Sequence, residues 1–135
     1  MNEKFHNYVP HLKLKAGAFL EALAYVETQI NAKLPDDYKE FMCFSNGATG
    51  FVGESYLILF NIEDMLKINL ANEYLPILII FGSDGGGNSY VFSTTETMFY
   101  VGEVSSISIG IEKLKFCAHT FTDFLKYMRN KKFDE

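Results

Sequence analysis

Pro76 to Ser93, PILIIFGSDGGGNSYVFS, sets an apolar run against three consecutive glycines and a second run rich in aromatic residues. Gly82 to Ser89 fits the spacing of a phosphate-binding loop, G-x-x-x-x-G-K-[ST], except that Asn88 stands where the lysine belongs. Such a loop works because a helix begins right after it and aims free N–H groups at the phosphates. Here the alternating segment NSYVFST follows, with no helical period, and Asp84 puts a negative charge in the loop. A dinucleotide G-x-G-x-x-G fails as well, because Tyr90 occupies the place of the third glycine. The stretch therefore predicts strand, tight turn, strand, with Gly85 to Gly87 taking positive φ without a Cβ penalty. PILIIF, apolar on both sides, is the central strand.

Upstream, Gly17 to Asn31 has a helical period, with Phe19, Leu23, Val26 and Ile30 on one apolar stripe. Pro35 suits the opening turn of a second helix, PDDYKEFMCFS, whose first acids favour the positive end of the macrodipole. Tyr38, Phe41, Met42 and Ser45 share its inner face, and Asn46-Gly47 supplies a left-handed stop. SYLILF predicts a strand running into a short helix, NIEDMLKINL, with Asn61 as cap and Asp64 at the third helical position.

Downstream, NSYVFST and TMFYVGEV form a hairpin pair, and SSISIGI alternates as a half-buried strand. Thr120 caps a last helix in which Phe121, Phe124, Leu125 and Met128 make the buried stripe. Two helices, a strand, a helix, several strands and a helix predict an α+β fold over residues 1–135 as one domain. Its sheet is mostly antiparallel, with about five to six strands and about four helices.

The composition, 48% hydrophobic and 16% aromatic in 135 residues, supports a core without disulfide or metal. Cys43 and Cys117 share no C-x-x-C spacing and read as reduced core thiols. The first twenty residues lack an uninterrupted apolar segment, and no run approaches the ~20 residues that span a bilayer. A soluble cytoplasmic protein with no membrane partner is expected. Residues 34–103 hold ten acids against Lys39 and Lys67, a net of −8 in a chain of net −5. That block repels phosphate backbones and attracts basic surfaces, which disfavours nucleic acid and favours a basic protein partner.

Catalytic signals are thin. His6, His11 and His119 are scattered without metal-ligand spacing, and no nucleophile elbow is present. A Cys117–His119 pair is conceivable, but residues two apart on a strand hold their side chains too far apart for a dyad. Asp36-Asp37 and Glu63-Asp64 are explained by helix capping. The residues argue for no enzyme, no cofactor and no metal.

LPDDYKEFMCFSNG, preceded by Glu27 in the first helix, resembles the L-P-x-x-[YF]-x-x-[FL]…N-G segment of the SUKH superfamily. YLILFNIEDM, PILIIFGSDGGGNSYVF and AHTFTDFLKYM resemble that family's next strand and helix, its glycine-rich turn and its closing helix, so that roughly residues 17–130 are covered. Family members often carry aspartate after the glycines, where this chain has Asn88. The resemblance implies an α+β fold and no catalysis. Bacterial members bind and neutralise a cognate toxin domain, often a nuclease, and fungal members act as regulatory scaffolds in cell-wall signalling. The short chain looks more like the bacterial kind. An immunity protein for a basic toxin is thus the expected function, with the scaffold as its alternative. Acids beside glycine turns are the candidate partner-binding residues: Glu54 after GFVG, Asp84 and Asn88 around the glycine run, and Glu103 after Gly102 at a strand end.

Overall fold

A computed structural model describes Phe5 and residues 9–95, 98–107 and 113–131. Its seven strands form one sheet in which spatial order follows chain order and every neighbour is antiparallel. They are β1 (Lys13–Leu14), β2 (Ala48–Val52), β3 (Ser55–Leu59), β4 (Leu78–Ser83), β5 (Asn88–Thr95), β6 (Met98–Ser105) and β7 (Lys115–Ala118). Four helices of nine residues or more accompany them: α1 (Leu20–Ile30), α2 (Asp36–Phe44), α3 (Ile62–Leu70) and α4 (Phe121–Asn130). The expected α+β class holds, with seven strands among the described residues where the sequence predicts about five to six.

The extra strands are β1, β2 and β7, which are short and carry small or polar residues that hide their period. The strand expected at SSISIGI is not found where the structure can be read. Ser105 closes β6, Ser106 and Ile107 form a bend, and residues 108–112 lie outside the described residues.

The helices follow their local chemistry. Asn61 accepts from the Asp64 N–H at 2.9 Å and Thr120 accepts from the Asp123 N–H at 3.0 Å, so each satisfies one free donor of a first turn. Asp37 does more than suit the α2 dipole: its Oδ2 accepts from the Thr122 N–H at 2.8 Å and its hydroxyl at 2.9 Å, tying two helix starts together. Glu27 is buried at the end of α1, where it accepts from the Leu34 N–H at 2.7 Å and pairs with Lys39 at 3.2 Å. Phe19 departs from its expected place. It sits at the N-cap of α1 and is 77% exposed, while Leu23, Val26 and Ile30 are buried. Asn46 likewise does not stop α2 in a left-handed turn. Its side chain accepts from the Ile62 N–H at 2.9 Å, and only Gly47 has positive φ.

α1, α2 and α4 share one hydrophobic cluster with the sheet. Its centre is aromatic: Phe81 stacks on Phe92 at 4.2 Å, and Tyr38, Phe121 and Phe124 meet this pair edge to face. Phe121, Phe124, Leu125 and Met128 are fully buried, each stabilising by roughly 1.5–3 kcal/mol against exposure. On the opposite face Leu78, Ile80, Val91 and Val104 form a smaller cluster, which makes β4 apolar on both sides as expected.

Before Gly82, β4 has no strand partner on its β3 side, because β3 registers only with Gly82 and Ser83. α3 covers that edge instead. Asn69 donates to the Ile80 carbonyl at 2.7 Å and accepts from its N–H at 2.8 Å, while Asn72 donates to the Leu78 carbonyl at 2.6 Å. Two asparagines thus replace the ladder that a strand would supply.

Candidate functional site

Two irregularities shape the end of the sheet beside the last turn of α4. The β4–β5 register slips between Ile80 and Gly82, leaving Phe81 as the extra residue, and the β6–β7 register slips so that Cys117 is extra. Such bulges bend a strand and re-aim its end. Between them Tyr90 and Glu103 lie directly opposite one another on β5 and β6.

Two turns close over this end. Gly53 and Glu54 join β2 to β3, with Gly53 at φ 63° in the first central position that a glycine-first hairpin requires. A Cβ on Gly53 would collide with the Arg129 carbonyl oxygen, so only glycine lets the hairpin rest on the end of α4. The glycine run joins β4 to β5 and is a turn, as its sequence predicts; a strand follows it, and Gly85 and Gly87, though not Gly86, have positive φ. Asp84 organises that turn. Its carboxylate accepts from the Gly86 N–H at 2.7 Å, the Asn88 N–H at 3.1 Å and the Asn88 side-chain amide at 3.0 Å. Partial burial pushes its pKa up, but these hydrogen bonds and Lys131 outweigh that and hold it below the ordinary carboxylate value.

The result is a cleft of about 400 Å³ between the two turns and the end of α4. Glu54, Asp84 and Lys131 line it, with Phe51 and Tyr56 along one wall and Tyr90 at its buried side. Phe51 and Tyr56 are cross-strand partners whose rings meet edge to face at 5.2 Å, and they are 55% and 39% exposed. Lys131 pairs with Glu103 at 3.4 Å; both are largely buried, 16% and 13% exposed. The four acids and amides singled out by sequence therefore gather at one end of the molecule. Glu103 needs a correction: it lies within β6 opposite Tyr90, and Lys131 already balances its charge.

Residues 17–127 match the SMI1 / KNR4 family (SUKH-1). The chain belongs to this family. The match spans most of this SMI1 / KNR4 domain, including Glu54, Asp84, Asn88, Tyr90 and Glu103, and stops short of Lys131. No curated protein matches the chain.

Elsewhere in the SMI1 / KNR4 domain, Cys117 is buried and makes a poor nucleophile. Burial first, and Glu103 second, push its thiol up to about 11 despite opposing help from Tyr127, Lys131 and Lys115. His119 packs its ring on Phe116 at 4.9 Å. Among the described residues no group of His, Cys, Asp and Glu could hold a metal ion, and no helix is long and apolar enough to cross a membrane. Tyr90 and Lys131 had no sequence signal: Tyr90 reads as an ordinary core position, and Lys131 meets Glu103 across 28 residues of chain.

Proposed function

We propose that this SMI1 / KNR4 domain is a non-enzymatic immunity protein, acting in the cytoplasm of the producing cell, that binds and occludes a cognate toxin domain. The observation that carries this reading is that Glu54 and Asp84 line one cleft, with Glu103 paired to its Lys131, all three acids drawn from the segment of net −8. A nuclease must present a basic surface to hold its substrate, so an acidic partner both mimics that substrate and is steered toward it. Family membership supports a protein-binding role, and the acidic cleft supports a basic partner.

Co-expression with a toxin-like domain encoded beside this gene tests the proposal. Rescue of growth, together with co-purification of the two chains, is expected. If the toxin still kills, and pull-downs recover only endogenous regulatory proteins, the scaffold role takes its place.

A further inference from the structure

The hydroxyl of Tyr90 is an unused hydrogen-bonding group at the cleft. Tyr90 is 0% exposed, and its Oη has no hydrogen-bond partner in the structure. Burying a hydroxyl without a partner is unfavourable, and the group remains able to accept from a donor outside the chain. Tyr90 also lines the cleft together with Asp84, and it lies opposite Glu103 in the β5–β6 ladder. Burial first, then those two acids, push its pKa well up, so the group is a neutral hydroxyl at every physiological pH.

We propose that the cleft is the seat for one arginine side chain of the protein partner. Its guanidinium would donate to Asp84 and to Tyr90 Oη while its plane lies against the exposed rings of Phe51 and Tyr56. The charges favour a cation, since Glu54 and Asp84 line the cleft while its one lining cation, Lys131, is balanced by Glu103. The shape favours arginine over lysine, because a planar, weakly hydrated fork stacks on aromatic rings and bonds two acceptors at once. The volume of about 400 Å³ admits a whole side chain.

This inference rests on the reading that the cleft faces a protein partner, yet its test needs no toxin. The isotopically labelled protein is titrated with N-acetyl-argininamide, and amide shifts of residues 53–56 and 84–90 are followed. N-acetyl-citrullinamide, N-acetyl-lysinamide and N-acetyl-glutamic acid amide serve as comparisons. Saturable shifts with the arginine probe are expected, with the isosteric but uncharged citrulline probe about tenfold weaker or worse. Tyr90→Phe, which removes only an unpartnered hydroxyl and leaves the ring packed, should weaken the arginine probe several-fold without loss of stability. Asp84→Asn, which keeps an acceptor in the turn, should do the same. Equal binding of citrulline, stronger binding of the glutamic acid or lysine probe, or indifference to both variants would overturn the proposal. Toxin rescue with no arginine binding would sink this inference alone. Arginine binding with no toxin rescue would sink the immunity role and leave the subsite standing.

Discussion

Asn88 donates its side-chain amide to Asp84 Oδ2 at 3.0 Å, across the turn that closes the cleft. With Asp84 already accepting two backbone N–H groups, an amide at position 88 completes the turn, whereas a second carboxylate would face the first. Asn88→Asp should therefore destabilise the protein by about 1–3 kcal/mol at neutral pH, through a lost donor and like-charge repulsion. Urea denaturation measures the loss, which should shrink as pH falls and one of the two carboxyls takes up a proton.

Asp84 itself links stability to pH. Its folded pKa lies below the unfolded value of 3.8, so the unfolded chain binds the proton more readily. Its contribution is fully present above that unfolded value and is lost as pH falls through the folded one. Asp84→Asn removes this dependence. Melting temperatures measured from pH 7 down to about pH 2.5 should fall less steeply in the variant than in the parent. Parallel curves would show that the turn does not stabilise the charged carboxylate.

The edge of β4 rests on Asn69, which serves both the N–H and the carbonyl of Ile80. Asn69→Ala strands both backbone groups in a buried site and should cost about 2–4 kcal/mol. Native-state hydrogen exchange should report it at one place: the Ile80 amide loses protection, while amides of the β5–β6 ladder keep theirs relative to the new global stability.

Glu54 and Glu103 should behave differently under charge reversal. Glu54 sits in an exposed turn, so Glu54→Lys should slow association with a basic partner several-fold at low salt and match the parent at high salt, where screening removes the steering. Glu103→Lys instead sets a second cation against the largely buried Lys131 and should lower stability by about 1–3 kcal/mol. Stopped-flow rates at two salt concentrations and a urea melt of each variant separate the two effects. A Glu103 variant with normal stability and altered steering would contradict this division.

What could be read in the sequence was local. The caps at Asn61 and Thr120 bond only three residues ahead, and the glycine turn lies between two strands with unmistakable β composition. The apolar stripe of α4 survives intact for the same reason, since its spacing alone fixes which face is buried. What escaped was long-range. β1 is two residues long and exists only because Lys13 and Leu14 meet Thr49 and Ala48. The Asn69 bridge spans eleven residues, and the Lys131–Glu103 pair depends on where α4 ends against the sheet. Phe19 fits the helical period of its neighbours, yet the helix begins one residue after it and leaves the ring outside. Glu54, Asp84, Asn88 and Glu103 were visible as acids and amides beside glycines, but not that Glu54 and Asp84 would share a cleft with Tyr90 and Lys131.

The central claim is that the acidic cleft is the surface that silences a toxin. Its most direct measurement is residual activity of a cognate toxin domain, sought among the products of neighbouring genes, titrated with the parent protein and with a folded Glu54→Lys/Asp84→Asn double variant. The parent should abolish activity near equimolar ratio, and the double variant should need at least about tenfold more protein at low salt, a loss of ~1.4 kcal/mol. A toxin left fully active by the parent, or silenced equally well by the double variant, would contradict the account.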